Sequence, residues 1–168
     1  MRATSGALIS LILASAFSGA LAQSVESDGW TSDAAGFAHA ESQTHCPADS
    51  DGFKPATLTR FVEPNILGTC LYEDAMGTGD AGVRVRRYMA GVGESEEAIR
   101  NDRMLMEPDP AHGAPLFTVR IVPLTFVDGK RGGRLTITKV RGGLLIDCYA
   151  EDADFGNATA KVAALCGK

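Results

Sequence analysis

Long apolar runs, closely paired cysteines and an excess of positive charge are all missing from this 168-residue sequence. Its longest apolar stretch, Ala7 to about Phe17, falls short of the roughly 20 residues a helix needs to cross a bilayer, and no second run follows. A formal charge of −5 argues against a nucleic-acid binder, which normally shows a basic surface, and gives little reason to expect attraction to anionic membranes. No C-x-x-C occurs, which removes the main support for a thioredoxin-type or zinc-ribbon reading. G-x-S-x-G, S-x-x-K and H-E-x-x-H are absent too, so no familiar hydrolase apparatus is visible. The three histidines, His39, His45 and His112, are scattered; neither a metal site nor a cofactor is expected.

The first residues, "MRATSGALISLILASAFSGALAQ", join one charge at Arg2 to a short apolar run and small residues ending in Ala20, Leu21 and Ala22. This order reads as a secretory signal peptide over residues 1–22, cleaved before Gln23. The protein is therefore expected to be exported, periplasmic or secreted, with no transmembrane segment once mature. Residues 23–44 are rich in Ser, Ala, Asp and Gly without a sustained apolar period, and read as a flexible polar leader with Trp30 as its one large anchor. Residues 45–168 are long enough for a single domain with one core.

Within that domain, "ATLTRFV" and "ILGTCLY" read as short strands parted by the breaker "EPN". "AGVRVRRYM" alternates Val83 and Val85 with Arg84 and Arg86, the period of a strand with one buried and one wet face. The letters "GTGDAG", Gly77 to Gly82, match a dinucleotide fingerprint, but they run into this strand alternation where the fingerprint needs a helix, so they read as a loop. "GESEEAIRNDRMLMEP" reads as a surface helix of about three turns: Glu94, Glu96 and Glu97 crowd its start, Arg100 and Arg103 its end, and Ala98, Ile99, Leu105 and Met106 make a narrow apolar stripe. "LFTVRIVPLTFV" is a long strand in which Pro123 requires an edge or a bulge. "DGKRGG" turns it into "RLTITKV", "RGG" turns again into "LLIDCYA", and a helix closes the chain. The predicted fold is α+β: an antiparallel meander flanked by helices, with the C-terminal helix packed on the sheet.

In an oxidising compartment Cys46, Cys70, Cys148 and Cys166 are expected to form two disulfides. Cys148 shares a strand face with Leu144 and Ile146, and Cys166 lies in the apolar stripe of the closing helix with Phe155, Ala158, Val162 and Leu165, so the two should face each other. That pairs Cys148 with Cys166 and Cys46 with Cys70; the rival joins neighbouring strands through Cys70 and Cys148. Glu151, Asp152 and Asp154 between them suit a helix start, with Asp154 or Asn157 as N-cap, and lack the ligand order of a calcium loop.

The ending "GGLLIDCYAEDADFGNATAKVAAL", a strand, an acidic turn, a Phe and a helix with small residues, resembles the close of PsbP/Mog1-type domains and of small exported bacterial proteins of unknown function. The resemblance implies an antiparallel sheet flanked by helices and an accessory or binding role, and transfers no functional residue. The residues themselves offer a basic set: Arg84, Arg86, Arg120, Lys130, Arg131, Arg134, Lys139 and Arg141. If Arg84, Arg86 and Arg120 share a sheet face, their planar forks can grip an anionic ligand or an acidic protein or envelope partner. The expected role is a non-enzymatic exported binding domain. An enzyme with an unrecognised site is the alternative, and an inhibitor of a secreted hydrolase presenting "DGKRGG" is another.

Overall fold

The computed structural model of the chain describes residues 29–50, 52–53, 56–59, 63–74, 79–90, 95–111, 113 and 117–166. Expectations for the signal peptide over 1–22, for residues 23–28 of the leader, for 60–62, for the start of the Gly77 loop, for His112 and for the helix lead-in at Glu94 lie outside these residues. Three short strands come first, β1 (Trp30–Asp33), β2 (Gly36–His39) and β3 (Thr44–Pro47), paired antiparallel in that order. Most of the stretch expected as a flexible leader is therefore folded, and the domain begins by Trp30, ahead of residue 45. Local chemistry accounts for the difference. Asp33 Oδ1 accepts the N–H groups of Ala35 and Gly36 at 2.8 and 3.1 Å, closing the first turn. Trp30, expected as the one large anchor of a flexible leader, is 1% exposed. It lies against Gly68, where a Cβ would stand only 2.7 Å from its indole Nε1. One buried indole supplies the apolar contact that composition does not announce.

The larger sheet has six antiparallel strands. β4 (Thr57–Thr59), β5 (Ile66–Glu73) and β6 (Asp80–Arg86) precede helix α1 (Glu96–Met106). β7 (Phe117–Thr125), β8 (Arg131–Arg141) and β9 (Leu144–Asp152) form the meander, and α2 (Phe155–Cys166) closes the chain. The spatial order is β4-β5-β6-β9-β8-β7. Gly142 and Gly143, both at positive φ (60° and 76°), make the two-residue turn that sets Arg141 opposite Leu144. The β7–β8 turn closes through Phe126 N–H to Lys130 C=O at 2.8 Å, with Gly129 at φ 80°. Ser95 caps α1, accepting the N–H of Ala98.

Strand alternation gives the sheet two unlike faces. The inner face carries Val83, Val85, Ile146 and Cys148, and it is covered by α2 and by Trp30 and Cys46 of the small sheet. The outer face carries Arg84, Arg86, Arg120 and Arg134, and α1 lies across its β7–β8 side. Cys46–Cys70 ties the small sheet to β5, and Cys148–Cys166 ties the last turn of α2 to β9, with Cα separations of 6.4 and 5.8 Å. The sequential pairing holds and the rival does not. The acidic turn has local tasks: Asp154 Oδ1 accepts the N–H of Gly156 at 2.6 Å, while Asp152 pairs with Lys161 at 2.7 Å. Lys161 also reaches Asp74 at the end of β5, so one ammonium pins α2 to two strands.

Replacing Trp30 by Ala is expected to cost about 3–5 kcal/mol in urea unfolding with the disulfides intact. A mobile leader at this position would give no change.

Candidate functional site

Alternation along β6 points Arg84 and Arg86 to the outer face, and pairing of Arg120 with Thr136, itself opposite Tyr149, puts Arg120 on that face too. The three arginines singled out by sequence thus share a face, but their surroundings differ. Arg86 is 3% exposed and fully engaged. Its Nε donates to Asp147 at 2.6 Å, its Nη2 to Asp102 at 2.8 Å and to Asp147 at 3.1 Å, and its Nη1 again to Asp102. Thr138 Oγ1 donates to Asp147 at 2.7 Å and satisfies that carboxylate further. Burial alone would lower the guanidinium's pKa; the two carboxylates outweigh it and hold it above the ordinary arginine value. Asp102 sits between Ala98 and Leu105 in the buried stripe of α1. Arg86 is therefore the bolt that fastens α1 to the sheet, with its forks already filled.

Arg84 and Arg134 flank Tyr149, their guanidinium carbons 5.8 and 5.1 Å from the ring centroid. The tyrosine lies over Gly82, where a Cβ would meet its hydroxyl at 2.7 Å. Burial raises the Tyr149 pKa, Arg84 and Arg134 oppose that, and Asp80 and Glu151 add to it. Arg134 donates through Nε to Glu151 at 2.8 Å. Beyond it the face turns acidic: Asp80 stands opposite Glu73 in register, and burial, then Glu151 and Glu73, raise its pKa against the pull of Arg134. Arg84 and Arg134 thus bracket a buried aromatic, with Arg120 on the same face two strands away. Arg134 was in the sequence's wider basic set, and only the β8–β9 register brings it beside Tyr149.

The sheet has two edge strands, β4 and β7, and the longer of them, β7, has no strand on its far side among the described residues. The Phe126 to Lys130 bond makes the even-numbered β7 positions the hydrogen-bonded ones towards β8. The N–H and C=O groups of Phe117, Val119 and Ile121 therefore point away from the sheet, and Pro123 lacks a donor at an outward position. Their side chains, on the inner face, are 53%, 52% and 57% exposed. At the tip beyond, Val127 is fully exposed and Lys130 pairs with Asp128 at 2.8 Å.

His39 Nδ1 lies 2.9 Å from Ser42 Oγ, but both residues are sealed from solvent. No group of three or more His, Cys, Asp or Glu among the described residues is arranged to hold a metal, and none of their helices is long and apolar enough to cross a membrane. The two disulfides are compatible with an oxidising compartment. No known protein-family model matches the chain, and no curated protein sequence matches it.

Two stability measurements follow from the charges. Arg86→Met strands two buried carboxylates and is expected to cost about 3–5 kcal/mol in urea at neutral pH. Asp80, with its folded pKa raised, binds more protons folded than unfolded just above the ordinary carboxylate range. Its ionisation therefore removes stability as pH rises through that range. Asp80→Asn should stabilise the protein at pH 7 by about 0.5 kcal/mol, modest because the side chain is largely in solvent, and give no gain near pH 3.

Proposed function

We propose that this chain is an exported, non-enzymatic accessory domain that binds a partner polypeptide by strand addition at β7. The observation that carries the reading is the row Phe117, Val119 and Ile121, where outward backbone groups coincide with exposed apolar side chains. Natural sheets usually protect such an edge with charge, bulges or cover, and Pro123 protects only its far end. An added strand would place alternate side chains against that row, and the intervening ones beside Arg120 on the outer face. The segment that fits alternates apolar with acidic residues. Export is supported by the signal-like residues 1–22 and by the two disulfides, and an accessory role by the resemblance of the C-terminal quarter to PsbP/Mog1-type domains.

A fluorescent heptapeptide of alternating valine and glutamate is the direct probe. Saturable binding in an anisotropy titration is expected, with no binding of the valine–lysine counterpart. Val119→Pro removes an outward donor without touching the β8 ladder, and should weaken binding at least about tenfold, or 1.4 kcal/mol. Equal binding by that variant, or by the lysine peptide, would overturn the reading.

A further inference from the structure

A cleft of about 220 Å³ opens on the inner face, where the last turn of α2 meets the start of β3. Its base is apolar, built from Val83, Ile146 and Leu165; its rim carries His45, Lys139 and Arg141. Lys139 and Arg141 are two residues apart on β8, so alternation sends both to this side. Their hydrogen bonds go to neutral groups: Lys139 Nζ donates to the Cys166 carbonyl at 3.4 Å, and Arg141 Nη1 to the Gln43 carbonyl at 3.2 Å. No aspartate or glutamate among the described residues lines the cleft. Burial, and then the neighbouring Arg141, lower the pKa of Lys139. The contrast with Arg86, Arg134 and Lys161, each bonded to a carboxylate, is sharp. Two cations at the mouth of a recess with an apolar floor and a polar rim repel one another, and an anion between them would relieve that repulsion.

An apolar base with a few convergent polar groups is the usual make-up of a small-molecule site. Because an apolar cavity of about 150 Å³ accepts benzene, one of this size accepts a ring or short acyl body with an acid group attached. We propose that this cleft binds a small monocarboxylate with an apolar body, its carboxylate between Lys139 and Arg141 and its body over Val83 and Ile146. The apolar base distinguishes this ligand from a free inorganic anion, which would gain nothing from Val83 or Ile146. The site is independent of strand addition at β7, and either can fail alone.

Benzoate serves as the probe, followed by the methyl NMR signals of Val83 and Ile146 in the intact oxidised protein. Saturable shifts in the millimolar range or tighter are expected, about 4 kcal/mol or more of binding free energy. Arg141 is exposed, so Arg141→Gln should keep the fold and weaken benzoate at least about tenfold; Lys139→Met should do the same, and Lys130→Gln at the hairpin tip should change nothing. Absence of saturation in the wild-type protein overturns the proposal, as does equal binding of benzamide, which shares the ring and lacks the charge. Inorganic phosphate binding as tightly as benzoate would also overturn it, since the apolar body would then contribute nothing.

Discussion

Arg86 is a charge taken out of water, and the outer face is organised around keeping it there. Transferring a guanidinium into a protein interior costs several kcal/mol unless carboxylates meet it in good geometry. One of these, Asp147, comes from the neighbouring strand β9; the other, Asp102, can come only from outside the sheet. That requirement fixes where α1 lies. The helix has a thin apolar stripe, with only Ala98 and Leu105 buried beside Asp102, too little to define its position by burial alone. A bidentate ion pair is directional where apolar contact is not, so the triad sets the helix's place and orientation more than it adds to net stability.

The same device recurs on the inner face with Lys161 between Asp74 and Asp152. Burial by itself would raise the pKa of Asp152, but the bond from Lys161 and the N–H of Asp154 outweigh it and leave it lowered. Its contribution to stability is therefore present at neutral pH and lost in acid, as pH falls through that lowered value. Here the ion pairs have a covalent companion, because Cys148–Cys166 holds the C-terminal end of the same helix. α2 is thus fixed near its middle by charge and at its end by sulfur, and the cleft beside that end has a rigid wall.

How much of this was legible in the sequence depends on the range of the cause. Period-two alternation in "VRVRR" and the turns "DGKRGG" and "RGG" act over a few residues, and the strands and meander they announced are present. The disulfide pairing followed from a strand face and a helix stripe, again local patterns. Trp30 misled, because its burial depends on Gly68, nearly forty residues away and chosen for the absence of a side chain. Arg84 and Arg86 are indistinguishable by alternation; the difference between them is that Asp102, from a separate helix, reaches only one. Asp102 itself interrupts an apolar stripe, and that interruption was the sole local signal that a cation must sit opposite. Lys139 and Arg141 stood in the basic set with nothing to single them out, since their cleft is closed by β3 and α2.

The β7 edge and the cleft meet the same strand, β8, and the register decides whether they can be told apart. Phe117 stands opposite Lys139, the register at which the two features come nearest, so a substitution there would confound them. Ile121 stands opposite Leu135, four residues further along, about 14 Å at the rise of an antiparallel strand. Arg141 lies two residues beyond Lys139 in the other direction, at the turn into β9. The informative positions for the two sites thus occupy opposite ends of the ladder. The feature between them is the Lys139 side chain, whose aliphatic stem can lie along the apolar row while its ammonium stays at the cleft. Lys139, partly buried and bonded only to a carbonyl, is the cation that gains most from a carboxylate in the cleft, and it gains it whether or not a strand is added at β7.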